Sequence, residues 1–335
     1  MIKIVVDGFG GDNSPLVNVE GVVNALNEIN DLEVILTGDE EKLQIELDKY
    51  KYDKQRLTII DCKDVITCND KPTEAIRNKR DSSLVKALNY CHDNDDVSGL
   101  VSLGSTGAVL AGAVLKIGRI KGVSRPAFCP ILPTMKDGIV GICDSGANVD
   151  CDSLNLKQFA IMGSLYLEKV YNIEKPRVAL LNIGTEEEKG NKLYKETYQL
   201  LKETNINFVG NMESRDLLSG SYDLIVCDGF DGNVLIKSTE GACLELLKLI
   251  KNTINSSFKN KLGGLMLKKS LYEIKNKMDY NNYGGGVMLG VKKVIVKGHG
   301  SSKSKAVKNC IIQAYTMGKK NLCQIISEEI EKLSE

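Results

Sequence analysis

Short runs of β-branched and aliphatic residues alternate along this chain with longer stretches whose apolar positions recur every three to four residues. That alternation is the pattern of repeated βαβ units, in which buried strands are joined by covering helices. Apolar runs at residues 2–6, 32–36, 57–60, 99–102, 139–143, 178–183, 224–227 and 291–296 are the predicted strands. Helical periodicity resumes after Pro15, after Gly107 and after Ser302. Most of the strand runs end in Gly, Asn, Asp or Ser. Ligands of parallel α/β sheets bind beyond the carboxyl ends of the strands, so these loops are expected to converge on one crevice. A further helix is predicted over 261–279, where Leu267, Leu271, Ile274 and Met278 follow a 4-3-4 spacing flanked by lysines. Such a face suits an anionic membrane surface or another subunit equally well.

Composition narrows the class without naming a ligand. At 335 residues the chain can bury a large core. Lys+Arg and Asp+Glu both number 44, so no overall charge draws it to nucleic acid or lipid, and such binding would need a local patch. Ten cysteines are scattered without a CxxC pair, several inside apolar runs where they behave as small hydrophobes. With no leader-like opening, a reducing cytoplasmic setting is expected. With only His92 and His299 to join the cysteines, no zinc site is expected. No apolar run approaches the ~20 residues that span a bilayer.

The strand-end loops carry the candidate chemistry. Gly104-Ser105-Thr106-Gly107 opens a helix and would present free N–H groups to an anion, or else form a tight turn with Ser105 or Thr106 as cap. Gly8-Phe9-Gly10-Gly11-Asp12 misses the dinucleotide spacing and places Asp12 where a pyrophosphate would sit. Asp144, Asn148 and Asp150 are oxygen donors that suit either Mg²⁺ or a turn. Lys189, after three glutamates, would neutralise phosphate or an oxyanion if it faces the crevice. Asp228-Gly229-Phe230-Asp231-Gly232-Asn233 reads as a close backbone approach that aims the Asn233 amide, or as an Asp-Gly hairpin. His299, between two glycines and followed by Ser301, is an acid/base or donor candidate. No nucleophile triad is specified.

In order and spacing, residues 7–12, 104–108, 125–127, 144–150, 180–191, 210–216, 228–237, 283–290 and 299–302 together resemble the bacterial acyl-carrier-protein:phosphate acyltransferases of phospholipid synthesis. The resemblance implies a homodimer with a three-layer α/β/α fold and a mainly parallel sheet, similar to the isocitrate and isopropylmalate dehydrogenases and the phosphotransacetylases. It implies one catalytic domain over 1–335 with a helical excursion at about 245–282. The implied reaction converts acyl-carrier-protein thioester and inorganic phosphate to acyl phosphate without a cofactor; a membrane-bound glycerol-3-phosphate acyltransferase consumes the product. Lys189 and Asn233 stand in the matching Glu-x-x-Lys-Gly and Asp-Gly-x-x-Gly-Asn motifs and are the implied catalytic pair. Asp12, Gly104, Ser105, Thr106, Gly107, Arg125, Asn148, Asn182, Gly184, Asp228, Gly232, His299 and Ser301 are the implied substrate-binding set. Gly8-Phe9, Leu103, Ser105, Ser214 and Gly286-Val287-Met288 depart from the usual family residues, which bears on acyl-chain preference more than on the chemistry. A phosphotransacetylase using acyl-coenzyme A and a non-catalytic phosphate-binding or membrane-scaffolding protein stand as alternatives.

Overall fold

The computed structural model describes residues 1–277 and 280–332. In chain order the strands are β1 (Ile2–Asp7), β2 (Leu32–Gly38), β3 (Leu57–Asp61), β4 (Val97–Ser102), β5 (Ala127–Cys129), β6 (Ile131–Pro133), β7 (Ile139–Cys143), β8 (Val178–Asn182), β9 (Phe208–Glu213), β10 (Leu224–Val226), β11 (Gly286–Leu289) and β12 (Val294–Lys297). They form two sheets, one ordered β3-β2-β1-β4-β12-β11-β5 and the other β6-β7-β10-β8-β9. All neighbours pair in parallel except at β11 and β6, whose pairings are antiparallel. The mainly parallel α/β expectation therefore holds, with the strands shared between two sheets.

The period-two alternation of each strand explains the layering. Ile4 and Val6 of β1 enter one core while Val5 enters another, with Leu84, Val85 and Leu88. In the second sheet Val178 and Leu180 face that first core, and Ala179 and Ile225 face a third. The first core thus runs continuously between the sheets. The helix Ser153–Tyr171 contributes Leu156, Phe159, Ala160 and Tyr166 to it. Its start is fixed by a reciprocal cap: Asn155 N–H donates to Asp152, and Asp152 N–H donates to the Asn155 side chain.

Four strands escaped the apolar pattern. β5 and β6 have three residues each and flank Pro130; β9 is interrupted by Gly210, and β11 follows two glycines. The last predicted strand starts later than residue 291, at Val294. The helix expected over 261–279 is corrected to two, Phe258–Met266 and Lys268–Lys277. Leu267 caps the first of them, its N–H donating to Gly263 O in the weakly helical Gly263-Gly264 segment. Leu267 and Ile274 are exposed and Leu271 is half-buried; Met278 lies outside the described residues. These helices follow Gly229–Asn255, whose buried residues are confined to its first two turns (Gly229, Gly232 and Leu235). Among the described residues no helix is long and apolar enough to cross a membrane.

Arg177 binds β8 to β10 electrostatically. Its Nε and Nη2 donate to the two Asp223 carboxylate oxygens at 2.8 and 2.7 Å, and its backbone N–H adds a third bond. Burial pushes the Asp223 carboxyl up, but the Arg177 guanidinium and N–H overcome it and hold the group below its ordinary range. A depressed folded-state pKa stabilises above the unfolded value of about 3.9, and that contribution is lost as pH falls through the folded value. Asp223→Asn is expected to destabilise the protein at pH 7 and to flatten the acid limb of its stability profile. Denaturant unfolding at pH 3–7 checks this.

Candidate functional site

Two groups of strand-end loops hold the candidate residues. The first lies at the ends of β1, β4 and β12. β1 ends on Asp7, which is fully buried and accepts a 2.7 Å bond from Ser102 Oγ. Burial pushes its carboxyl up, opposed by the Ser83 and Ser102 hydroxyls and by the Phe9 and Gly10 N–H groups. Asn18 Nδ2 donates to the carbonyls of Asp7 and Gly10, fixing the glycine loop against its own helix. A Cβ at Gly10 would sit 2.7 Å from Gly104 N, so only glycine lets the two loops touch. Asp12 N–H donates to Gly300 O at 2.8 Å, and Gly298 N–H to Ser102 O at 3.0 Å. Asp12, Gly104–Gly107, His299 and Ser301 therefore belong to one cluster.

Within it, Ser105 Oγ accepts from Ala108 N–H at 3.5 Å and caps the helix Thr106–Gly112, so the capping reading of this turn is realised. His299 is exposed, with Nδ1 2.9 Å from Ser301 Oγ. Lys297, absent from the expected set, ends β12 opposite Ser102 and donates from Nζ to Gly298 O. Burial pushes its ammonium down, while Cys310, Cys68, Asp12 and Asp7 lie close enough to raise it. A lysine immediately before Gly298-His299 was a readable signal, but the predicted strand stopped one residue short of it.

The second group lies at the ends of β7, β8 and β10. Asp144 is fully buried and organises the loop that follows it. Its carboxylate accepts from the N–H groups of Phe128, Ser145, Ala147 and Asn148 and from Asn148 Nδ2 at 2.9 Å. Burial pushes this carboxyl up against those donors. Its oxygens are committed to the turn, and among the described residues no group of three or more His, Cys, Asp and Glu is placed to hold a metal. Asn148 Nδ2 also donates to Pro126 O at 2.7 Å, which seats the loop beside exposed Arg125.

The Asp228–Asn233 segment starts a helix rather than a hairpin. Asp228 caps it, accepting from Asp231 N–H at 2.8 Å, and burial pushes the Asp228 carboxyl up. Gly229 N–H donates to Asn148 O at 2.7 Å. A Cβ at Gly232 would lie 1.9 Å from Asp144 O, so the helix start rests directly on the Asp144 backbone. That contact brings the Asn233 amide over the same turn, with Nδ2 donating to Ser145 O at 3.3 Å.

Asn182 closes the neighbouring loop: it donates to Lys189 O at 3.1 Å and accepts from Ile183 N–H at 2.8 Å. Gly184 lies inside this loop, against the Lys189 side chain. Lys189 is exposed, and among the described residues its ammonium makes no ion pair or hydrogen bond. Tyr194 OH donates to Asp231 Oδ2 at 2.7 Å, bridging the Lys189 and Asn233 segments. Among the described residues no hydrogen bond or ion pair joins Lys189 or Asn233 to Gly104–Gly107, which follow a strand of the other sheet. On the helix Gly229–Asn255, burial pushes the Glu240 carboxyl up, and nearby His299 and Lys237 pull it back.

A family described as "Fatty acid synthesis protein" matches residues 2–325. The phosphate acyltransferase of Clostridium novyi (strain NT) is 48% identical over 331 residues, covering 99% of both chains. That of Clostridium perfringens (strain SM101 / Type A) is 50% identical over 334 residues, covering 99% of this chain and 98% of the relative. Among solved structures, the EutD phosphotransacetylase from Staphylococcus aureus superposes with a TM-score of 0.60 at 17% identity, over 95% of this chain and 94% of that one. A branched-chain phosphotransacylase from Enterococcus faecalis V583 gives 0.57 at 16% identity, over 95% and 99%. At these identities the structures share the fold.

Proposed function

Because the chain belongs to the phosphate acyltransferase family of fatty acid and phospholipid synthesis, we propose that it moves an acyl group from acyl-carrier protein to inorganic phosphate. A phosphate oxygen attacks the thioester carbonyl, the resulting tetrahedral oxyanion collapses, and the C–S bond breaks to release the carrier thiolate, which takes up a proton. Phosphate is itself the nucleophile, so the protein's task is to gather two substrates and stabilise developing charge. The observation that carries this reading is the Tyr194–Asp231 hydrogen bond, which ties the Lys189 and Asn233 segments together. Lys189 is an uncommitted ammonium on a closed loop, and the Asn233 amide is fixed on the helix start bridged to it. Lys189 balances the charge of phosphate and oxyanion, and Asn233 donates to the thioester oxygen or positions phosphate. The Gly104–Gly107 turn, with Ser105, Thr106 and His299 beside it, offers phosphate its N–H and hydroxyl donors.

The working enzyme on this reading is a cytoplasmic homodimer at the inner face of the membrane, handing acyl phosphate to a membrane-bound glycerol-3-phosphate acyltransferase. Apolar side chains on the helical excursion support a surface covered by a second copy or by lipid: Phe258 is 84% exposed and Met266 83%, with Leu249 and Leu262 also open. Purified protein given phosphate and one acyl group on either carrier protein or coenzyme A is expected to prefer the carrier donor. Preference for coenzyme A would make it phosphotransacetylase-like, and vesicle binding without turnover would leave only a scaffold.

A further inference from the structure

A cavity of about 660 Å³ opens away from the strand ends, between the helices Pro72–Asn78 and Ser83–Asp93 and the turn Ala113–Ile117. Arg77, Arg80 and Lys116 line it beside the amides of Asn78 and Asn89, with no carboxylate among the lining residues. The nearest acids in sequence are already engaged: Glu74 pairs with Lys71 at 3.3 Å, and Asp81 with Lys86 at 3.1 Å. Arg80 uses one N–H for Arg77 O, and cations at helix ends complement the terminal carbonyls. Neither contact compensates three positive charges, and none of the three cations has an ion pair among the described residues. On a chain whose net charge is +0, this is a local concentration of uncompensated positive charge. Leu115, 48% exposed, adds an apolar contact at its edge.

The cavity is coupled to the glycine turn by the same helices. A Cβ at Gly107 would lie 2.7 Å from Pro72 Cγ, so both helices start side by side at that turn, and Arg77 and Lys116 stand in their last turns. Ten residues of helix separate Thr106 from Lys116, roughly 15 Å at about 1.5 Å per residue. We propose that this cationic cavity is the docking surface for an acidic acyl-carrier protein, whose flexible thioester arm reaches back along the helices toward the glycine turn. The inference rests on the carrier-donor reading above. Opposed charges across such a surface steer encounter and fix orientation, and they weaken with salt.

The test compares the full-length enzyme with an Arg77→Glu/Arg80→Glu/Lys116→Glu variant, using one acyl group on carrier protein and on N-acetylcysteamine. The variant is expected to raise KM for the carrier donor by about tenfold or more, with the gap narrowing as salt is added. Its kcat/KM for the carrier-free thioester should be unchanged, which also reports an intact fold. Should charge reversal impair folding, the triple glutamine variant gives the same comparison. An unchanged KM for the carrier donor overturns the proposal, as does an equal loss with both donors. Lost binding to anionic vesicles with carrier KM intact assigns the cavity to lipid and also overturns it. A wild-type enzyme that uses coenzyme A and ignores carrier protein removes the donor reading itself, and the docking site with it.

Discussion

Lys189→Ala and Asn233→Ala are each expected to lower acyl phosphate formation by about 10²–10³-fold, the usual loss when one preorganised transition-state donor is removed. Neither change should unfold the protein. The Lys189 ammonium holds no partner among the described residues, and Asn233 gives up a single long bond to Ser145 O. Stability and activity are therefore separable here. Urea midpoints should stay near wild type while kcat falls. Lys189→Arg keeps the charge but changes its reach and is expected to recover part of the rate. Steady-state kinetics on the purified variants decide the matter; near-normal rates in both alanine variants would remove this pair from the mechanism.

Gly232→Ala is expected to damage both stability and rate, for a reason that lies in the backbone. The added methyl would meet Asp144 O at 1.9 Å and Cys227 Sγ at 2.9 Å. Carbonyl and helix must separate, at a cost of about 1–3 kcal/mol or more for overpacking in a close contact. The same shift carries the Asn233 amide away from its turn, and misplacement by about 1 Å can cost on the order of 10²-fold. Gly241→Ala in the same helix is the control, because nothing lies within 4 Å of a Cβ there. It should be neutral or stabilising by up to about 1 kcal/mol, the helix preference for Ala over Gly. Parallel denaturation curves and rates separate the two; a Gly232→Ala protein as stable and active as wild type would contradict the contact.

How far the sequence was readable follows from which signals are local. Strands β8 and β10 were legible because parallel strands buried on both faces appear as unbroken apolar runs. Strands β5, β6 and β11 were not, since three or four residues beside proline or glycine show no period. The helix break at Leu267 was not legible because the 4-3-4 apolar ladder starts at Leu267 itself and carries no signal about the helix that ends there. For Asp144 the sequence left ligand and turn roles open. The deciding fact is a backbone amide, Phe128 N–H, sixteen residues away. The Lys189 and Asn233 motifs were visible as motifs, but their bridge through Tyr194 and Asp231 depends on β8 and β10 being neighbours. Placement of the glycine turn on one sheet and this pair on the other is likewise a property of topology, invisible to spacing.

The central claim is that phosphate itself takes the acyl group from the carrier. Release of carrier thiol from acyl-carrier protein by the purified enzyme, followed with and without inorganic phosphate, tests it most directly. The account predicts phosphate-dependent thiol release matched mole for mole by acyl phosphate. Thiol release that is indifferent to phosphate, or that yields free fatty acid in place of acyl phosphate, would contradict it.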